Sequence, residues 1–360
     1  AIIARVHQMR IFTSIDQRDL QKIPALTKQL EAKGFNGIAT FENRHDPFLP
    51  LAVAATNSTN IELTTGVAIA FLRSPMSTAQ IAWDINNASL GRLTVGLGPQ
   101  IKAHNEKRFS VPWSPPVPRL REYVMALRAI WKTWKTGEAL AFSGEHYKFS
   151  LMPPNFIPEQ TEVGPPAITL AAVGPSMLSL AGEVADGVQL HPFCTKAYIE
   201  KMVLPRLQSG FCKSNIHRKS FEISGGGFLA TGPTEEAVRK MSEWVRYRIG
   251  FYASTPAYWP VLECSGFEDI GPKLNLLTKQ GKWDQLAKEV PEELLYACTA
   301  IGTHDQIAAE IRNRFGGLVD TLHASQSYEM PSDLPSEVIQ DIKKIPAEFE
   351  AFDRTRYLNL

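Results

Sequence analysis

Glu42, His45, His104 and His191 are the side chains in this sequence whose types and positions suit proton transfer to a bound molecule. Glu42 follows the run Gly37-Ile38-Ala39-Thr40-Phe41, and His191 follows Gly187-Val188-Gln189-Leu190. Each closes an apolar segment that reads as a strand, so each stands where a strand hands over to a loop. A general acid or base acts only within hydrogen-bond reach of the reacting atom, and strand ends bring groups that close. His45 and His104 lie in loops, as does Arg108, whose guanidinium can meet a phosphate or carboxylate through two parallel hydrogen bonds. The turn Val173-Gly174-Pro175-Ser176 joins a strand to a helix. Backbone N–H groups at such a start, with a glycine permitting close approach, suit a phosphate. The same four residues also read as an ordinary turn with Ser176 as the helix cap. Gly66, inside Thr65-Gly66-Val67, interrupts a strand and marks a bulge.

These positions need a scaffold that delivers several strand ends to one place. The first hundred residues alternate short β-branched runs with amphipathic stretches, the pattern of repeated βα units and a parallel sheet. Strands are predicted over residues 5–12, 37–41, 61–70 and 93–97, with helices over 19–33, 48–56 and 78–89. Leu20, Ile23, Leu26 and Leu30 recur at helical spacing, and Gly34 stops that helix where a left-handed cap is needed. Further strands are predicted over 167–172, 187–191, 221–229 and 318–324. Helices are expected over 119–136, 176–185, 233–249 (capped by Thr234) and 305–315 (capped by Thr303). Eight strands in this rhythm favour a (β/α)8 barrel, the TIM-barrel fold, over a doubly wound sheet.

Three segments break the rhythm, near residues 99–118, 137–166 and 250–297. The first holds Pro99, Pro112, Pro115, Pro116 and Pro118, too many for a regular element. The second suggests a short hairpin over 142–149. The third is rich in aromatic residues. Loops of this length in compact domains commonly serve function. Trp113, Trp259 and the pair Phe251-Tyr252 can anchor such loops or wall an apolar pocket. The whole chain, residues 1–360, reads as one barrel domain with these insertions.

The bulk properties exclude several classes of function. With 38 basic and 37 acidic residues the net charge is +1, without the basic surplus of a nucleic-acid-binding surface. The four cysteines, Cys194, Cys212, Cys264 and Cys298, show no CxxC spacing. No metal site of the usual zinc type is therefore expected, and reduced thiols in the cytoplasm are. Neither a secretory signal nor an apolar run of the roughly 20 residues that span a bilayer is visible.

Six segments together resemble the luciferase-like family of flavin and deazaflavin enzymes. They are Gly34-Phe35-Asn36-Gly37-Ile38-Ala39-Thr40-Phe41-Glu42; Thr65-Gly66-Val67 with Arg73-Ser74-Pro75; Gly91-Arg92-Leu93-Thr94-Val95-Gly96-Leu97-Gly98; Arg121-Glu122-Tyr123 with residues 127–131; residues 171–187; and Ile301-Gly302-Thr303. Their order over about 300 residues makes the likeness specific. The run His45-Asp46-Pro47-Phe48-Leu49-Pro50 and residues 104–113 resemble the deazaflavin branch, whose coenzyme is called F420.

The resemblance implies a (β/α)8 barrel with its site at the C-terminal ends of the strands. It implies a non-proline cis peptide at Gly66–Val67 against the middle ring of the cofactor. It places Gly66, Val67, Ala68 and Gly98 beside that cofactor, Val173, Gly174 and Ser176 at its phosphate, and His104 and Arg108 at its ring or tail. Many relatives carry a histidine directly after the strand-ending acid. Here Asn43 stands there, and His45 is the nearest substitute. Phe193 and Cys194 stand where sugar-phosphate dehydrogenases of the family place polar and basic groups, which points to a less polar substrate. The expected activity is hydride transfer between F420 and a small, fairly apolar molecule, by a homodimer, with a separate cofactor reductase as a further partner. An FMN-dependent monooxygenase and a non-catalytic flavin-binding barrel are the alternatives.

Overall fold

Eight segments rich in Ile, Leu, Val and Thr form parallel strands buried on both faces, the pattern expected when helices cover a sheet. A computed structural model of the chain describes residues 7–325 and 331–358. The strands are β1 Arg10–Ser14, β2 Gly37–Thr40, β3 Glu62–Thr65, β4 Leu93–Gly98, β5 Ala167–Ala172, β6 Gly187–Leu190, β7 Glu222–Gly225 and β8 Thr321–His323. Each pairs in parallel with its sequence neighbours, and β8 pairs with β1, so the sheet closes into a (β/α)8 barrel.

The principal helices are α1 Ile23–Lys33, α2 Phe48–Ala55, α3 Pro75–Ala88, α4 Pro116–Thr136, α5 Pro175–Val184, α6 Leu204–Ser214, α7 Glu235–Ala253, α8 Ile307–Phe315 and α9 Ser336–Lys343, with shorter helices such as Ile270–Lys279 and Glu292–Cys298 in the segment after α7. Gly34 ends α1 at φ +102°, its N–H donating to the Leu30 and Glu31 carbonyls. Thr234 caps α7 by accepting from the Ala237 N–H. The outer layer packs through large rings, as where Trp83 of α3 meets Trp134 of α4 edge to face at 5.3 Å. None of the helices among the described residues is long and apolar enough to cross a membrane.

Several predicted bounds shift, for local reasons. The first strand is Arg10–Ser14; the first residues of the predicted segment 5–12 lie outside the described ones. The predicted strand 61–70 is broken after Thr65 by a cis peptide at Gly66–Val67, then resumes as Ala68–Ile69 beside β4. The predicted strand 221–229 is two strands. Gly225 and Gly226 at φ +80° and +85° turn the chain out of the barrel, because only glycine takes that backbone at little cost. Phe228–Gly232 then pairs with Thr299–Thr303, a strand the periodicity did not reveal. Thr303 therefore ends a strand instead of capping a helix, and α8 starts at Ile307. The hairpin expected over 142–149 forms from Phe142–Ser143 and Lys148–Phe149.

The N-terminal end of the barrel is closed by charge. Arg10 at the start of β1 meets Glu62 of β3 at 2.6 Å and Glu222 of β7 at 2.5 Å, and Thr321 of β8 donates to Glu222 at 2.6 Å. Burial pushes the Glu222 carboxyl up and the Arg10 guanidinium pulls it back. Removing one partner of such a buried pair leaves the other charge uncompensated. Arg10→Met should lower the unfolding free energy by about 3–5 kcal/mol in urea titrations, and Arg10→Met/Glu222→Met should recover most of it. A loss below about 1 kcal/mol would mean the cluster is solvated and contributes little.

Candidate functional site at the C-terminal mouth of the barrel

Because every strand runs the same way, the ends of all eight open on one cavity of about 460 Å³. Its wall takes Ser14 from β1, Phe41, Glu42 and Asn43 after β2, Gly66 and Val67 after β3, and Gly98 from β4. It continues with Ala171, Ala172 and Val173 at β5, Gln189, Leu190 and His191 at β6, Gly225 of β7 and His323 of β8. Arg248 and Tyr252 from α7 and Tyr258 beyond it close one side.

Gly66, Gly98 and Ala171, at the ends of neighbouring β3, β4 and β5, form a face of small residues in this wall, and Gly225 and Gly227 line it beyond β6. The face is fixed from beneath by Gln189, whose Nε2 donates to the Thr65 carbonyl at 3.0 Å and to the Thr169 hydroxyl at 2.9 Å. Thr65 Oγ1 donates to the Gly96 carbonyl at 2.6 Å and accepts from the Gly96 N–H at 2.9 Å. A Cβ on Gly96 would lie 1.9 Å from the Thr65 carbonyl oxygen, so only glycine permits this approach.

The structure brings some of the expected site residues together and leaves others apart. Gly66, Val67, Gly98, Val173, Glu42 and His191 all line the cavity. Ala68 is buried and pairs with Leu97 of β4 instead. Glu42 faces the cavity but its carboxylate is already engaged. Arg73 grips it at 2.6 and 2.9 Å, the Ile69 N–H donates to it at 2.6 Å, and Arg73 also reaches Asp46 at 2.9 Å. Burial works against the Arg73 charge, but the two carboxylates hold its pKa above the ordinary value. Glu42 is thus an anchor for the β2 loop.

His45 is exposed, and neither it nor His104 lines the cavity. Arg108 is exposed as well. It stacks on Phe109 and donates to the Asn43 carbonyl, pinning the loop after β4 to the loop after β2. Ser176 is exposed and does not cap α5; Gly174 holds the cap position, with no side-chain hydrogen bond. Nothing lies within 4 Å of where a Gly174 Cβ would stand, and no side chain caps the start of α5. Of the loop aromatics, Tyr252 joins the wall. Trp113 packs on Phe71 edge to face at 6.4 Å, and Trp259 donates to the Ala253 carbonyl at 3.0 Å; both are anchors.

His191 is the imidazole best placed for chemistry. Its Nδ1 accepts from the Phe193 N–H at 3.0 Å, which in the neutral ring leaves the proton on Nε2. The ring packs against Tyr252 at 4.3 Å and Tyr258 at 4.8 Å. Burial, with the charge of Arg248 alongside, lowers its pKa to about 3. His323, at the end of β8, is a second wall histidine that sequence reasoning passed over, although it lay inside a predicted strand. Burial and then the charge of Arg10 lower it to about 4. Gln189 and Arg248 were also missed: a glutamine in a strand and an arginine in an amphipathic helix carry no signal alone. At neutral pH both histidines are uncharged, so each can donate one hydrogen bond but neither is a ready base.

A closed parallel barrel whose eight strand ends open on one glycine-lined mouth defines a TIM-barrel protein with its cavity at the C-terminal face. The chain belongs to the luciferase-like monooxygenase family, whose model matches residues 5–321. It is 44% identical over 291 residues to an uncharacterised protein of Mycobacterium tuberculosis, covering 81% of this chain and 86% of that one. It is 27% identical over 292 residues to a 5,10-methylenetetrahydromethanopterin reductase of Archaeoglobus fulgidus, covering 79% and 83%. In fold it is similar to the coenzyme F420-dependent tetrahydromethanopterin reductase of Methanopyrus kandleri, with TM-score 0.70 and 19% identity over 94% and 98% of the two chains.

Both wall histidines titrate near 6.5 when unfolded and near 3 and 4 when folded. As pH falls the unfolded chain takes up protons first, so their linkage lowers stability between pH 6.5 and about 4. Melting temperature should fall over that range, and His191→Gln and His323→Gln should each flatten the decline. A slope untouched by both substitutions would assign the acid sensitivity to other groups.

Proposed function

We propose that the protein is an oxidoreductase that binds the deazaflavin coenzyme F420 in the barrel mouth and passes a hydride between it and a small organic substrate. The observation that carries this reading is the face of small residues ending at an uncapped helix. Gly66, Gly98 and Ala171 leave room for a planar ring to lie against the backbone. A Cβ at Gly98 would come within 2.7 Å of Val67 Cγ2 and disturb that face. Val173 continues the face toward Gly174, where α5 offers N–H groups and the positive end of its dipole to a phosphate.

The residues present therefore fit the coenzyme. Gly66, Val67 and Gly98 would hold its ring, and the start of α5 at Gly174 its phosphate. Bound there, it would supply hydride chemistry with little reactivity toward oxygen. The protein contributes shape and proton donors. His191 offers Nε2–H at the cavity and keeps it at any pH above its low pKa, so it can hold a carbonyl or similar acceptor in place. Glu42 keeps the β2 loop against Arg73, and Phe41, Leu229, Tyr252 and Tyr258 limit water at the mouth. The sequence likeness to a 5,10-methylenetetrahydromethanopterin reductase supports transfer of a hydride over oxygenation.

Titration of the protein with F420 and, separately, with FMN, followed by fluorescence quenching, tests the reading. F420 should bind and FMN should bind at least about tenfold more weakly, a difference of about 1.4 kcal/mol. Tight binding of FMN alone would replace the reading with a flavin-dependent monooxygenase. A Cβ at Gly174 meets no atom within 4 Å, so Gly174→Trp, its fold checked by circular dichroism, should weaken F420 binding about 100-fold. Undiminished binding by that variant would remove the α5 start from the site.

A further inference from the structure

We propose that Arg248 selects the substrate of this cavity by receiving an anionic oxygen group, a carboxylate or phosphate, that the substrate carries. The inference rests on the reading of the barrel mouth as the oxidoreductase site and adds the chemistry of its second occupant. Arg248 sits on α7 and lines the cavity beside His191, Tyr252 and Tyr258. Its guanidinium is held in place without being neutralised. Nη2 donates to the Tyr252 hydroxyl at 2.6 Å, and the group lies over the rings of Tyr252 and Trp244 at 5.1 and 5.3 Å. Nε is buried and has no hydrogen-bond partner.

No carboxylate among the described residues pairs with Arg248. The contrast within the same wall is direct: Glu42, the acid that faces the cavity, is bound by Arg73 at 2.6 Å. The Arg10, Arg128 and Arg218 guanidinium groups likewise have carboxylate partners within 3.1 Å. Among the described residues, the cavity wall therefore carries one guanidinium with no carboxylate partner, oriented by two aromatic rings. A guanidinium taken partly out of water without a carboxylate beside it is costly unless a ligand reaching its Nη end completes it. The guanidinium fork matches a carboxylate or phosphate through parallel hydrogen bonds. His191 packs on the same Tyr252 ring and feels the Arg248 charge, so the same side of the cavity also holds a neutral donor. The expectation of a fairly apolar substrate is thereby refined: most of the wall is apolar, and one end is cationic.

The anion has two sources, the substrate or the acidic tail of the coenzyme, and binding of benzoate and its neutral isostere benzamide separates them. Affinities are measured by calorimetry on the protein alone and on the F420-saturated protein, for wild type, Arg248→Gln and Arg248→Lys. The proposal expects benzoate to bind wild type with and without F420, about tenfold more tightly than Arg248→Gln. Arg248→Lys should fall between them, benzamide should be indifferent to all three, and F420 affinity should change by less than about twofold in Arg248→Gln. Loss of benzoate binding on F420 saturation, with weakened F420 binding by Arg248→Gln, would give the anion to the coenzyme and overturn the proposal. Equal benzoate binding by wild type and Arg248→Gln, or equal weakening of benzoate and benzamide, would also overturn it. Failure of F420 itself to bind would instead remove the proposed function, leaving the benzoate comparison on the free protein to judge Arg248 alone.

Discussion

Gln189 is the tie on which the mouth of this barrel depends. One carboxamide on β6 joins the Thr65 carbonyl of β3 to the Thr169 hydroxyl of β5 across the barrel interior. Thr65 in turn exchanges two hydrogen bonds with Gly96 of β4. These bonds satisfy buried polar groups that would otherwise cost free energy. They fix the point at which β3 breaks, so that Gly66 and Val67 line the cavity with Val67 beside Gly98. The flat face above is a consequence of that cross-link and of the absent side chain at Gly96.

Charge is distributed along the barrel axis with the same economy. The N-terminal end closes on the Arg10 cluster, and the β2 loop closes on the Glu42–Arg73 pair. Apart from Glu42, the titratable side chains of the mouth among the described residues include two neutral histidines and Arg248. Buried pairs of this kind add little net stability but fix geometry strongly, because breaking one leaves a stranded charge. Neutral His191 follows from the same arrangement: apolar neighbours and a nearby cation both disfavour its protonation.

The barrel was legible because its signals are local. Gly34 at the end of α1 and Thr234 at the start of α7 each act through residues within four positions. The eight strands alternate with helices in plain sequence. What escaped were features made by distance. The pairing of Phe228–Gly232 with Thr299–Thr303 joins segments about seventy residues apart, and Gly225–Gly226 gives no sign in sequence of turning a strand outward. Gly66, Gly98 and His191, singled out from the sequence at strand ends, line the cavity, whereas Gly225 and Gly227 were not singled out. His45, His104 and Arg108 were placed by loop position, where side-chain direction has no period to follow, and the structure sets them outside the cavity wall. Gln189, Arg248 and His323 gained meaning only once the closed sheet brought them to one mouth.

The measurement that bears most directly on this account is a crystal structure of the protein grown with oxidised F420. The tricyclic ring is expected against the Gly66–Val67 and Gly98 face, with its phosphate at the N–H groups that begin α5 and Arg248 still open to a second ligand. A ring bound elsewhere, or a mouth that stays empty when solution titration shows saturation, would contradict it.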